Sequence, residues 1–472
     1  MDSKLTPLWE GFAYKPHQIE GVHWMLSRDN IGGLLCDEMG LGKTIQMLGL
    51  IKQSAPSKTL LVVPLAVVNQ WKDTAIRCHI NVLVYMKHSW KLQSPPFVYC
   101  SSIYIIGYEA LNNNIEQIRI INFDRLVCDE AHRLGVKNIR AMLAANKPIK
   151  KLAYKTIRQI KASSKWFITA TPVVNSEDDV LSLFALMSPE LNKKPISELM
   201  ATYAIARTMD QIRSNMPDAP EPPVIITHKL DFTTSEEQEF YVGIQTNIQK
   251  QLAYNENALV VLRLIMLLRQ VSIHPQVYIE ARQRKFKRAL PQANWLEPST
   301  KFIKMKSLMA AECGEQHKWI VFCHFHTEMV LLKEYLVSCP FIRHIETYSG
   351  ELSAEQKAAA LENVCIPFTG ESTCDVLLVQ LKAGGVGLNL QAFDRIIFNS
   401  PWWTQAAIDQ GIGRAVRIGQ TKKVVVHNLV LKQEEIKSVR NIDSWMKKIA
   451  DAKDVTNKMV LDLAATNFLI TY

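Results

Sequence analysis

The stretch Cys36–Thr44, CDEMGLGKT, constrains this chain more than any other. An apolar run, Ile31–Leu35, leads into it, and a helix-patterned run, Ile45–Ile51, follows. Strand, Gly-rich turn and helix in that order bring backbone N–H groups and a helix N-terminus onto phosphate oxygens. Gly40 and Gly42 allow a tight backbone path, Lys43 can reach terminal phosphates, and Thr44 can place its hydroxyl on Mg²⁺. Asp37 stands where the pattern G-x-x-x-x-G-K-[ST] opens with glycine, so the loop is a variant. The bland alternative is a Gly turn capped by threonine, and the rest of the chain speaks against it.

At 472 residues the chain exceeds one ordinary core, and two or three domains are expected. An apolar fraction of 48% and a charged fraction of 21% fit a soluble globular protein. The net charge of +10 favours a polyanionic partner such as nucleic acid. Nine cysteines are scattered without a C-x-x-C pair, which argues against a zinc module and for reduced thiols. The N-terminus lacks a secretory apolar segment, and Ala258–Leu268, interrupted by Arg263, is too short for a bilayer span. An intracellular protein without membrane association is expected.

Short β-rich runs recur at Thr59–Pro64, Val98–Ile106, Arg125–Cys128 and Trp166–Thr169, alternating with helical segments. That alternation predicts an α/β lobe with a mainly parallel sheet. From Val180 to Gln276 the texture reads as longer helices. Ala281–Pro298, with the basic run Arg282–Arg288, reads as a hinge. A second set of strands is expected at Trp319–Cys323, Val376–Val379, Arg395–Phe398 and Val424–Val430, with a helical tail from Gln433. The expected domains are therefore 1–280, a hinge at 281–298, and 299–472.

LVCDEAH ends a strand-like run and places Asp129 beside Glu130. A phosphate-bound Mg²⁺ needs a nearby carboxylate, which fits Asp129, and an attacking water needs a base, which fits Glu130. Thr169–Pro172 (TATP) supplies hydroxyls at another strand end, where open α/β sheets hold ligands. Gln18, just upstream of the loop, could hydrogen-bond a purine edge. In Gln410–Gln420, QGIGRAVRIGQ, Arg414 and Arg417 are three apart and would share one face of a helix. Two guanidiniums aimed at one point suit the charge on a transferring phosphoryl group, and on a separate lobe they would tie hydrolysis to closure. Lys382, in the Gly-rich LKAGGVGLNL, could meet a phosphate, and Trp402 or Trp403 could touch a sugar or base step. A buried core tryptophan explains either of the last two equally well. The basic residues Lys150, Lys151, Lys155, Arg158 and Lys161 read as a surface of the first lobe, and a solvated basic face is as good a reading of them.

In this order the motifs resemble the Swi/Snf family of superfamily-two helicase-like ATPases, from about Tyr14 to Lys423. KPHQIEGVHWM is similar to its adenine-side motif, CDEMGLGKT to its phosphate loop with Asp at the first position, and LLVVPLAVVNQW to motif Ia. LVCDEAH, TATPVVNS, LRQVSIHP, WIVFCHF, LKAGGVGLNL and QGIGRAVRIGQTKKV follow in the family's order. Ala170 stands where glycine is usual, Gly413 and Val416 where many members have Asp and His, and Ser400–Thr404 replaces an acidic segment.

The resemblance implies two RecA-like lobes, MgATP as the substrate complex, and tracking along duplex DNA without strand separation. Nucleosomes or other DNA-bound proteins would be the load. It assigns Gln18, Gly40, Gly42, Lys43, Thr44 and Gln410 to nucleotide, Thr44 and Asp129 to metal, and Lys43, Asp129, Glu130, Arg414 and Arg417 to catalysis. Lys382 and Trp402 fall on its DNA-contacting segment. The motor uses nearly all residues, so no histone-reading module is expected, and a compact viral or minimal cellular member would fit. Nuclear residence is expected, with a viral particle or cytoplasmic factory as alternatives. The rival functions are a true helicase acting on DNA or RNA and a non-catalytic DNA-binding scaffold.

Overall fold

Apolar runs too short for helices, several of them buried at every position, pair side by side into two mainly parallel sheets flanked by helices. The computed structural model describes residues 5–98, 100–216, 219–253, 257–286, 294–366, 373–381, 388–417, 419–432 and 441–465. The chain divides into two compact units, Met1–Ala219 with Ala452–Tyr472, and Pro220–Asp451.

In the first unit the strands are β1 (Gly32–Leu35), β2 (Lys58–Val63), β3 (Asn81–Met86), β4 (Ser89–Leu92), β5 (Ser102–Gly107), β6 (Phe123–Asp129), β7 (Ala162–Ile168) and β8 (Ala204–Ile205). Their order is β4-β3-β5-β2-β6-β7-β1-β8, parallel except for the β3–β4 hairpin. That hairpin escaped the sequence reading because its turn residues, Lys87 and His88, take left-handed backbone (φ 48° and 62°) without Gly or Asn. At the carboxyl edge Leu35 pairs with Ile168, and Ile168 with Asp129. Three strands therefore end in one cross-sheet row. The helices α1 (Pro16–Leu26) and α2 (Lys43–Gln53) flank the first of them.

The second unit holds β9 (Val224–Leu230), β10 (Lys318–Cys323), β11 (Ile342–Tyr348), β12 (Cys374–Gln380), β13 (Arg395–Phe398) and β14 (Val425–Leu431). All pair in parallel, in the order β11-β12-β10-β13-β14-β9. The strand period of two splits the core between the two faces: Trp319, Val321 and Cys323 on one, Ile320 and Phe322 on the other.

The unit boundary differs from the expected one at 280. β9 pairs with β14 along its whole length, from Val224 opposite Val425 to Leu230 opposite Leu431. Helices Ser235–Ala253, Ala258–Ile273 and Pro275–Phe286 share a core with Leu431, Ile442 and Met446. Of the residues expected in the first domain, those from Pro220 onward thus build the second unit, while Val180–Ala219 stay in the first. Pairing of β9 with a strand some two hundred residues downstream leaves no local sequence signal. Helix Pro275–Phe286 also runs into the stretch read as a hinge, and residues 287–293 lie outside the described ones.

Asp443 organises the second unit from within. Lys301 Nζ lies 2.7 Å from its Oδ2, and each side chain is 1% exposed. The N–H of Leu431 donates to the same oxygen (3.0 Å) and Ser272 Oγ to the other (3.4 Å). One carboxylate so joins the end of β14 to two helices. Asp443→Ala would leave the Lys301 ammonium buried without its counter-charge, at a cost of about 3–5 kcal/mol. Urea unfolding should show this loss, and a paired Lys301→Met, Asp443→Leu variant should recover most of it.

Candidate active site

The backbone builds the first part of the site. Gly40 and Gly42 take left-handed φ of 86° and 77°, and Gly42 caps α2 with no side chain bonded to its first N–H groups. Those amides face the loop, the arrangement that receives phosphate oxygens. A Cβ at residue 42 would meet Gln18 Nε2 at 2.5 Å, so glycine leaves the Gln18 amide its place against the loop. Gln18 itself bridges α1 and the loop: its Oε1 accepts the Lys15 N–H (3.1 Å) and its Nε2 points at Leu41 O (3.4 Å). His17 Nε2 also reaches Leu41 O, at 2.9 Å.

Lys43 Nζ donates to two loop carbonyls, Asp37 O at 2.7 Å and Glu38 O at 3.1 Å. Burial lowers its pKa, while the carboxylates of Asp37, Glu130 and Asp129 pull it back up. The lysine therefore sits within the field of both acidic residues of the DEAH segment. Thr44 follows as the second residue of α2.

Asp129 ends β6, with Oδ1 accepting the Glu130 N–H (2.9 Å) and Oδ2 the indole N–H of Trp71 (2.8 Å). Burial first, and the Glu130 carboxylate next, raise the Asp129 pKa above the usual carboxylate range. A dication placed there would relieve that like-charge strain. Glu130 adopts left-handed backbone (φ 49°, ψ 47°), a strained state for a non-glycine residue. Its Oε2 lies 3.3 Å from His132 Nδ1, which is also 3.1 Å from Thr169 Oγ1. Burial, with Arg133 adding to it, pushes the His132 pKa down to about 4 and keeps the ring neutral. Tyr108 donates its hydroxyl to Asp129 O at 2.8 Å.

The variant position of the phosphate loop explains a residue that sequence reasoning missed. Asp37 is fully buried, and Arg207 clamps it from Nε to Oδ1 at 3.0 Å and from Nη2 to Oδ2 at 2.6 Å. Gln46 of α2 joins them, accepting from Arg207 (2.8 Å) and donating to Asp37 (2.9 Å), and Arg207 Nη1 also reaches His17 O. A buried Asp signals that a cation must be near, but nothing local marks Arg207 as that cation. Asp179 was missed likewise: its Oδ2 accepts the N–H groups of Val174, Asn175 and Ser176 in the loop after TATP.

In the second unit Arg414 and Arg417 come together without the helix expected to carry both. Helix Gln405–Ile412, which includes Gln410, ends before them and is capped by Gly413. The arginines follow in a turn, where Arg417 Nε donates to Gly413 O at 2.7 Å. Burial and the Arg414 charge lower the Arg417 pKa to about 10, so the guanidiniums are close and partly desolvated. Gln420 pins the turn through Nε2 to the carbonyls of Gln391, Phe393 and Ala415 (3.0, 3.1 and 3.2 Å). Helix termination at Gly413 is the physical difference from the expectation.

Trp402 is half-buried, stacked on His324 at 4.8 Å and 5°, with the Arg269 guanidinium 4.8 Å from its ring centre. Its edge lines a cavity of about 200 Å³ with Phe398, Gln405, Asn428 and Lys447. Lys382 and the glycines of its segment lie outside the described residues. Among the described residues no cluster of His, Cys, Asp and Glu could hold a metal by itself, and no helix is long and apolar enough to cross a membrane.

Removing Arg207 would strand the Asp37 carboxylate in the core. Arg207→Met should lower unfolding free energy by about 3–5 kcal/mol. Asp37→Gly, which restores the usual first glycine, should recover most of that loss in the double variant. Equal losses in single and double variants would show that Arg207 matters for something other than Asp37.

Two family profiles match the chain, an SNF2-related domain over residues 17–195 and a helicase conserved C-terminal domain over 300–419. The ISWI chromatin-remodeling complex ATPase ISW1 of Saccharomyces cerevisiae is 24% identical, over 98% of this chain and 44% of the relative. The uncharacterized ATP-dependent helicase MG018 of Mycoplasma genitalium is 27% identical, over 93% of this chain and 42% of the relative. The chain thus spans under half the length of these curated relatives. Among solved structures, the Sulfolobus solfataricus SWI2/SNF2 ATPase core in complex with dsDNA matches 97% of both chains at 20% identity and a TM-score of 0.39. With both profiles in chain order over its two parallel-sheet units, the chain belongs to the Swi/Snf family of superfamily-two helicase-like ATPases.

Proposed function

We propose that this chain is a DNA-stimulated ATPase that moves along duplex DNA and displaces or remodels protein bound to it. The observation that carries the reading is the meeting of Lys43, Asp129 and Glu130 at one carboxyl edge, beside a left-handed loop and an uncapped helix N-terminus. These residues fit MgATP: the α2 amides and Lys43 take the phosphates, and Thr44 and Asp129 take the metal. Mg²⁺ would neutralise charge on the phosphate oxygens.

Glu130 is assigned the proton of the attacking water. Its left-handed backbone and its contact with a neutral His132 suit a base with a role distinct from the metal carboxylate. Gln18 and Gln410 are assigned to nucleotide, and Arg414 and Arg417 to charge developing on the transferred phosphoryl group. The two arginines share one turn, where burial and the Arg414 charge lower the Arg417 pKa, and that proximity supports the role. The +10 charge and relatives named as chromatin-remodeling ATPases support duplex DNA as the track and the nucleus as the place of action. Phosphate contacts of that kind are sequence-independent and weaken with salt.

ATP turnover measured without nucleic acid and with single-stranded DNA, duplex DNA, RNA and nucleosomes should rise most with the duplex forms. Robust unwinding of a tailed duplex with little stimulation by blunt duplex would replace translocation with strand separation. Glu130→Gln should keep ATP binding and lose turnover by about 100-fold or more. Normal hydrolysis in that variant would remove Glu130 from the base role.

A further inference from the structure

Residues 452–465, the latter part of helix Ile442–Ala465, pack within the first unit. Their inward stripe runs Asn457, Val460 and Ala464, with Leu461 packed beside it. Asn457 is only 8% exposed, where an apolar residue would bury without desolvation cost. Its Oδ1 is used on one group, accepting the N–H of Val173 at 3.1 Å. One turn earlier Lys453 Nζ donates to Asn175 Oδ1, also at 3.1 Å.

Val173 and Asn175 belong to the loop that leaves β7 behind TATP. Every amide from Val173 to Ser176 is held by a side chain, the first by Asn457 and the next three by Asp179. The loop is connected to the site at its other end. The Thr171 N–H donates to Thr169 Oγ1 at 3.2 Å, and that oxygen lies 3.1 Å from His132 Nδ1, itself 3.3 Å from Glu130 Oε2. A short series of polar contacts so leads from the last helix to the carboxylate assigned to water.

We infer that Asn457 and Lys453 are positioning residues for hydrolysis: they hold the loop behind Thr169, and through it the His132–Glu130 pair. The inference rests on the ATPase reading above. Lys43, Asp129 and the α2 amides lie outside this series, so nucleotide binding does not depend on it. Loss of the Val173 contact lets the loop drift, and a displacement of that kind lowers kcat while KM holds.

The test measures steady-state ATPase of the full chain with duplex DNA, beside thermal melting. Asn457→Leu suits the apolar stripe but strands the Val173 N–H, so it should melt slightly lower than the parent, and lose about tenfold in kcat with KM for ATP within about twofold. Asn457→Asp keeps the acceptor oxygen and should restore much of the rate. Lys453→Met, at a half-exposed position safe for folding, should show a smaller kcat loss of the same kind. Met459→Gln on the exposed face of the helix should change nothing. Unchanged kcat in Asn457→Leu and Lys453→Met, or a rate loss matched by a lower melting point and unrescued by Asp, overturns the inference. An inactive parent would overturn the ATPase reading instead.

Discussion

Parallel pairing of β1, β7 and β6 sets Leu35, Ile168 and Asp129 in one row across the first sheet, and the candidate site depends on that row. The phosphate loop leaves the first of these strands, the TATP loop the second, and Glu130 follows the third. Backbone pairing of this kind has a fixed spacing, so a register slip in any one strand would separate the lysine from the carboxylates. Burial of the strands on both faces makes such a slip costly.

Above that row the loops are held by buried charge rather than by packing. Asp37 in place of glycine brings a carboxylate into the base of the phosphate loop, where Arg207 and Gln46 donate to its two oxygens and His17 O in turn accepts from Arg207. The loop is then locked to β1, α1 and α2 together. Asp443 performs the equivalent service in the second unit with Lys301. In both units a single carboxylate is satisfied by partners far away in sequence, which favours one arrangement of the elements over its competitors.

Like charges are crowded in each unit. Asp129 and Glu130 repel each other beside a desolvated lysine, and Arg414 and Arg417 repel each other in a pinned turn. Asp129, Lys43 and Arg417 each have their pKa moved in the direction that a bound partner of opposite charge would reverse. Such tension is what an ATPase uses, because binding and cleavage of a charged substrate can then shift local structure.

The sequence alone determined the α/β class, most of the central strands, the phosphate loop and the carboxylate pair, because each is a local pattern. Gly40, Gly42 and Lys43 fall within one turn of the chain, so their proximity needs no tertiary contact. The outlying strands β3, β4, β9 and β11 carried weaker signals, partly or largely exposed or closed by an unusual turn. Only the tertiary structure decided where the units divide, since β9 is claimed by β14 through backbone pairing across nearly the whole second unit. It alone supplied Arg207 for Asp37, Asp179 and Asn457 for the loop after TATP, and the turn in place of a helix at Arg414. Those partners answer buried charges and amides through space, and a one-dimensional string records the need for such a partner without recording its position.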